Sequence, residues 1–465
     1  MRYYLLPFGF ERIGECEVLV NELGDMVVAP FGTAAALSAH EEISTDLYKT
    51  LVANYFLSEE PIPSTIGVYS SRLRAKKHFM DDRAALHIFV LTLQCNQGCT
   101  YCQASSRDKH AESCTMSKEV LKRSVEFMFQ SPAHVLTMEF QGGEPSLHPE
   151  LVRYGIEVAE NLRKQQSRDI RYVLCTNCVD VNDDLLSLCK EFNVLISTSL
   201  DGPEWLHNRN RGKADSYQKV VAGIKKAREV LGNNAVSALQ TTSVMALDHP
   251  IGIVDEYVRM GFHDMFLRAL NPYGLAANND DWSQYTDRFV EFYKKAFEHI
   301  LELNRQGISF VEDFATIILR KILTPFDSGF VDLQSPAGIV NSVLVYNYDG
   351  NVYTSDEGRM LAEHGDYTFC LGNVFDQYED IVYGPKVQQL AQVWSAETLA
   401  GCFDCAWRPY CGADPVRNHS TQGDVYGFRP SSLLCRKNKT IITYLVSLII
   451  ERYDEVMPIF KNWLQ

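Results

Sequence analysis

Three cysteines fall within eight residues, in the run Cys95-Asn-Gln-Gly-Cys99-Thr-Tyr-Cys102. Three thiolates suit a four-iron, four-sulfur cube and leave one of its irons without a protein ligand. An open position marks a catalytic rather than a structural metal site, and an iron exposed in this way can bind a small molecule. Gly98 lets the loop wrap tightly around such a group. A second group, Cys402, Cys405, Cys411 and Cys435, supplies four thiolates, enough to close either one cube or one zinc site, and spacing does not choose between them. The remaining cysteines, Cys16, Cys114, Cys175, Cys178, Cys189 and Cys370, are expected mostly as buried thiols. Cys175-Thr-Asn-Cys178 has the spacing of a redox dithiol and is the exception to watch.

The first run resembles the radical SAM superfamily, whose hallmark is CxxxCxxC with an aromatic residue, here Tyr101, before the last cysteine. The resemblance implies an oxidoreductase that holds a [4Fe–4S] cluster at Cys95, Cys99 and Cys102 and cleaves S-adenosylmethionine (SAM) reductively to a 5′-deoxyadenosyl radical. Gln141-Gly142-Gly143-Glu144-Pro145 stands where that family has its GGE motif, which implies a hold on the amino group of SAM. On its own a Gly-Gly pair is a turn; paired glycines also let backbone approach a ligand closely. Cys175-Thr176-Asn177 and Ser199-Leu200-Asp201-Gly202-Pro203 look like the TNG and SxDG segments of peptide-modifying members, and His207 to Arg211 continues the likeness. Carried over, Ser199 and Arg211 become candidates for the ribose or carboxylate of SAM, with Asn177 and Asp201 beside them. Tyr101, Arg268 and Asn271 are expected at the barrel mouth as adenine, ribose or substrate contacts.

Cys402-x2-Cys405-x5-Cys411 with Cys435 resembles the C-terminal SPASM extension of such maturases, which implies one auxiliary [4Fe–4S] cluster rather than zinc. Pro415 stands where the pattern has a further cysteine, and Gly350-x4-Ser355 lacks the cysteine of Gx4C. These departures remove ligands of a second auxiliary cluster, so two clusters in total are expected. Asp356 follows Ser355 as a catalytic acid follows the missing cysteine in sulfatase-maturing relatives, where it takes a proton as the substrate radical is oxidised.

The finer resemblance is to the radical SAM maturase of the His-Xaa-Ser peptide system. It rests on Leu6-Pro7-Phe8, the run from His87 into Cys95, Cys-Thr-Tyr-Cys-Gln-Ala-Ser ending at Ser105, and Tyr346-Asn-Tyr-Asp-Gly-Asn-Val, continuing through Ser355 to Leu361. It implies a ribosomally made precursor peptide as substrate, a second radical SAM partner, and an electron donor of the flavodoxin or ferredoxin type. Alternatives are a sulfatase-maturing or small-metabolite radical SAM enzyme, or a non-catalytic cluster- or zinc-binding partner that recruits a peptide.

The elements that position these residues are six strand-like runs: 86–93, 135–140, 171–176, 194–200, 236–244 and 265–270. Helical runs lie between them; Tyr217, Val220, Val221, Ile224, Ala227 and Leu231 recur at helical spacing and give one apolar face. Repeated strand and helix units imply parallel strands with right-handed crossovers and a site at the strands' carboxyl ends. The fold class is therefore α/β, which the resemblance narrows to a partial (β/α)6 TIM-like barrel. Domains are expected at 1–84, a small α+β module able to bind a leader peptide by strand addition, at 85–310, the core, and at 311–465, the SPASM-like part.

Forty-four basic against fifty-nine acidic residues give a charge of −15, which disfavours nucleic acid and anionic lipid as partners. The run Ile441–Ile450 is about half the ~20 residues that cross a bilayer and reads as a buried helix. The opening MRYYLLPFGFERIGE lacks the pattern of a secretory signal, so a cytoplasmic location is expected.

Overall fold

The computed structural model describes residues 3–61, 63–81, 83–279 and 281–465. Met1, Arg2, Ile62, Asp82 and Asp280 lie outside the described residues, and with them the first residues of the opening read for a signal and one position of the stretch before the first core strand.

Six parallel strands appear where the alternating pattern predicts them: β1 Leu86–Thr92, β2 Val135–Gly142, β3 Asp169–Cys175, β4 Leu195–Ser199, β5 Val236–Thr242 and β6 Leu267–Ala269. They lie side by side in chain order, as repeated right-handed crossovers require. The sheet then continues past β1 through β7 Val343–Tyr346, β8 Asn351–Tyr353 and β9 Cys370–Asn373, to nine strands among the described residues. β7 runs parallel to β1, with Val345 opposite Ile88; the β7–β8 and β8–β9 pairs are antiparallel. The fold is mixed α/β, with a central sheet whose first seven strands run parallel.

The crossover helices are α1 Lys118–Met128, α2 Pro149–Arg163, α3 Asp183–Phe192, α4 Glu204–Arg211, α5 Ser216–Leu231 and α6 Pro250–Arg259. Ser117 caps α1 and Asn182 caps α3, each accepting from a backbone N–H three residues on, and Pro149 opens α2 where its missing N–H costs nothing. On α5, Tyr217, Val220, Ile224 and Ala227 are buried, as their spacing predicts, with Gly223 among them; Val221 and Leu231 are half-buried. Gly155 of α2 lies against Met138 and Phe140. Glu139 and Gln141, one residue out of step on β2, therefore face the opposite side of the sheet from α2.

The chain divides into two compact units, one of residues 1–81, 314–338 and 392–465, the other of residues 82–313 and 339–391. Residues 339–391 pack with the six strands because β7 takes the free edge of β1. In the first unit, Phe8–Ile13, Cys16–Asn21 and Met26–Pro30 make an antiparallel sheet over a core of Leu19, Val27, Leu37, Leu51 and Phe56. The helix Leu433–Glu451 contains the apolar run and buries Ile441, Ile442, Leu445 and Val446. No helix among the described residues is long and apolar enough to cross a membrane.

One carboxyl in the second unit makes stability depend on pH. Burial pushes Asp313 up to about 7, and Asp264 and Glu312 beside it add to the rise. An unfolded aspartate titrates near 3.9, so between about pH 4 and 7 the folded state holds a proton that the unfolded state has lost. Stability from this group is therefore greatest below that window and falls as pH rises through it. Urea midpoints at pH 5 and pH 8 should differ more for the wild type than for Asp313→Asn.

Candidate functional site

The loop Cys95–Cys102 leaves the carboxyl end of β1 and is fastened to the end of α4. Gly98 N–H donates to Arg211 O at 3.0 Å and Thr100 N–H to Asn210 O at 2.9 Å, using carbonyls that a helix end leaves unpaired. Gly212 sits at φ +66, and a Cβ there would lie 2.3 Å from Gly98 O, so only glycine permits this approach. Cys95, Cys99 and Cys102 line one cavity of about 560 Å³ together with Ser106, Arg107 and Lys219.

Burial pushes the Cys95 thiol up to about 12, with Glu144, Cys99 and Cys102 adding to the rise; burial also raises Cys99, against the pull of Arg211. Thiols held this way deprotonate when a cation compensates them, which is the behaviour of metal ligands. Among the described residues no three His, Cys, Asp or Glu side chains stand close enough to hold a single metal ion. A cube spreads its thiolates over separate irons, so three soft sulfurs around one cavity fit that group better than a single ion.

Glycine is obligatory at the carboxyl end of β2. Gly142 has φ +137 and a Cβ there would meet Thr92 O at 2.1 Å; at Gly143 it would meet Gln94 O at 2.2 Å. Glu144 is fully buried, and its carboxylate accepts from Thr176 Oγ1 at 2.6 Å, Asn177 N at 2.7 Å and Ser146 N at 3.0 Å. Its burial raises the pKa, and these donors counter only part of that. Glu144 thus ties the ends of β2 and β3 together, and Pro145 opens a short 3-10 turn behind it. Asn177 donates to Asn96 Oδ1 at 2.7 Å, which joins the end of β3 to the cysteine loop.

Ser199 is half-buried at the end of β4. Just beyond it Asp201, fully buried, accepts from Arg211 Nε at 2.9 Å and Nη2 at 2.8 Å, and from the Tyr101 hydroxyl at 2.9 Å. Burial raises the Asp201 pKa, but Arg211 outweighs it and holds the carboxyl below its usual range. Arg211 Nη1 lies 3.7 Å from Cys99 Sγ. Arg268, on β6, is half-buried and lowers the pKa of Glu139; the Asn271 carbonyl accepts from Gln103 of the cysteine segment at 2.9 Å.

Asp356 begins the helix Asp356–Ala362, capped by Ser355, and accepts from Arg359 Nε at 2.8 Å. Arg359 is almost fully buried and also donates to Ala104 O at 3.2 Å. Sequence reasoning did not single out Glu139 or Arg359 and quoted Gln141 only as the residue before the paired glycines. Cys175 Sγ lies 3.4 Å from Glu139 Oε1, Gln141 hydrogen-bonds the same oxygen, and Asp356 raises the Glu139 pKa after burial has done so. The signal was present in Thr137-Met-Glu139-Phe-Gln141, where polar residues alternate with apolar ones along a strand whose other face is covered by helices.

In the first unit Cys402, Cys405, Cys411 and Cys435 come together. Burial pushes Cys402 and Cys405 up to about 11, and each is raised further by the other thiols of the group. Asn438 Nδ2 lies 3.7 Å from Cys411 Sγ. Cys114, Cys178 and Cys189 are buried and Cys16, Cys175 and Cys370 half-buried; all are free, Cys175 and Cys178 included.

Residues 89–247 match the family model described as the radical SAM superfamily. The chain is 24% identical to the cysteine-type anaerobic sulfatase-maturating enzyme of Clostridium novyi over 382 residues, 77% of this chain and 96% of that protein. Its fold is similar to that of anSMEcpe with bound AdoMet and Cp18Cys peptide, at TM-score 0.63 and 19% identity over 80% of this chain and 99% of the other. It is also similar to Streptococcus suis SuiB bound to precursor peptide SuiA, at TM-score 0.54 and 12% identity over 93% of this chain and 100% of the other.

Proposed function

We propose that this chain, an enzyme that uses S-adenosylmethionine through the radical SAM domain matched at residues 89–247, modifies a ribosomally made peptide of the His-Xaa-Ser type. The observation that carries this reading is the place of the Tyr346–Leu361 segment, on which the finer resemblance rests. It starts at the last residue of β7, which adjoins β1, contains β8, and its Asp356 raises the pKa of Glu139 on β2. Relatives whose names and titles give a sulfatase-maturating activity or a bound peptide support a peptide substrate.

A radical SAM domain implies a [4Fe–4S] cluster and SAM, which together supply a 5′-deoxyadenosyl radical able to take hydrogen from an unactivated carbon. Cys95, Cys99 and Cys102 would hold the cluster. The backbone at Gly142 and Gly143, with Asn177, Ser199, Arg268 and Asn271, would surround the polar ends of SAM. Asp356, held by Arg359, would accept a proton from the substrate, with Glu139 and Gln141 as polar neighbours on β2. Cys402, Cys405, Cys411 and Cys435 would hold one auxiliary cluster. Residues 1–84 would receive the leader, 85–310 together with 339–391 would carry the radical chemistry, and the rest of 311–465 would carry the auxiliary cluster. A flavodoxin or ferredoxin would supply electrons, beside a second radical SAM partner.

The relative from Clostridium novyi favours one second reading, maturation of a sulfatase serine or cysteine. The reconstituted protein, SAM, reductant and two peptides, one with His-Xaa-Ser repeats and one with a sulfatase serine or cysteine, separate the two by mass spectrometry. A mass change confined to the first peptide is expected. A change confined to the second replaces the reading, and SAM cleavage with neither peptide altered points to a small metabolite.

A further inference from the structure

The pair formed by Asp201 and Arg211 is buried, and burying an ion pair gains little stability in itself. What the pair faces is the cysteine loop. Both carboxylate oxygens of Asp201 are taken by Arg211 and by the Tyr101 hydroxyl. The Nε–Nη2 edge of the guanidinium is therefore engaged by Asp201, and Nη1 is left 3.7 Å from Cys99 Sγ. The Arg211 guanidinium also lies 5.5 Å from the centre of the Tyr101 ring, inside the same loop. Two backbone hydrogen bonds from Gly98 and Thr100 to the end of α4 fix the distance between this arginine and the loop.

We propose that Arg211, held by Asp201 and Tyr101, is a positioning residue that sets the reduction potential of the cluster at Cys95, Cys99 and Cys102 by donating to the Cys99 sulfur. The inference rests on the reading of that loop as the cluster site. A hydrogen bond and a permanent positive charge at a ligand sulfur favour the reduced, more negative state of a cluster and raise its potential. Asp201 opposes that effect from one step further away, while keeping the guanidinium in place.

The test is an EPR-monitored redox titration of the anaerobically reconstituted full chain, following the signal that changes when SAM is added. Arg211→Gln should move the midpoint to more negative potential and Asp201→Asn to more positive potential, with iron and sulfide content retained. Opposite shifts are the signature of charge, since a brace that merely loosened would move both variants alike. If Asp201→Asn does not accumulate, the arginine series decides: the midpoint should fall in the order wild type, Arg211→Lys, Arg211→Gln. Unchanged midpoints, shifts of one sign, or loss of the cluster from all the variants would overturn the proposal. A wild type with no SAM-responsive signal would instead sink the reading of the loop itself, and the proposal with it.

Discussion

Replacing Cys402 with alanine is expected to remove about half of the cluster iron that the chain takes up on anaerobic reconstitution, while the SAM-responsive signal persists. Cys405, Cys411 and Cys435 are near enough to Cys402 to raise its pKa, on turns that the local sequence fixes. Cys405 N–H donates to Cys402 O at 3.0 Å, and Trp407, buried just beyond, anchors the turn through Nε1 to Thr443 Oγ1 at 3.0 Å. Cys435 lies in the first turn of Leu433–Glu451, where its N–H donates to Ser432 Oγ at 3.2 Å, and burial raises its thiol pKa. A wild type that binds one zinc per chain at this site, or a Cys402→Ala variant with undiminished iron, would contradict the auxiliary cluster. Cys405→Ala, Cys411→Ala and Cys435→Ala should behave alike if the four thiols act as one set.

Glu144→Ala is expected to be the most destabilising single change at the site. Its carboxylate satisfies two backbone N–H groups and the Thr176 hydroxyl in a place without solvent. Stranding those donors should cost roughly 3 kcal/mol or more, a large part of a typical domain's stability. Glu144→Gln keeps an acceptor oxygen and should lose less than half as much. Urea unfolding measures both. If Glu144→Ala unfolds at the wild-type urea midpoint but binds SAM weakly, the carboxylate serves the ligand and not the strand ends.

Much of this was legible in the sequence, for physical reasons. The six parallel strands announce themselves as apolar runs of strand length between helical periods, and the cysteine loop follows the first of them because sites gather at strand carboxyl ends. The glycines of Gly142-Gly143 could be read as a close approach; what approaches, the carbonyls of Thr92 and Gln94, could not. The β7–β9 extension was hidden because Val343–Tyr346 pairs in parallel with a strand some 250 residues earlier, and no local pattern encodes so distant a partner. For the same reason a cut near residue 310 separates 339–391 from the strands with which they pack.

Side-chain partnerships were the least legible layer. Resemblance offered Asp201 and Arg211 separately as SAM contacts, whereas the turn into α4 brings them face to face. Asp356 was singled out by its place after Ser355; that Arg359, one helical turn on, holds it follows from i,i+3 spacing only once the helix start is known. Glu139 needed the strand's two faces to be told apart, which the packing of Met138 and Phe140 against Gly155 accomplishes.

The chain is expected to cleave SAM at the Cys95, Cys99 and Cys102 site. The most direct test is to purify the protein without oxygen, reconstitute it with iron and sulfide, add dithionite and SAM, and quantify 5′-deoxyadenosine by chromatography. The wild type should form it, and the variant with all three cysteines replaced by alanine should not. Equal product from both, or none from a wild type whose cluster is present and reduced with a His-Xaa-Ser peptide supplied, would rule out SAM cleavage at this site.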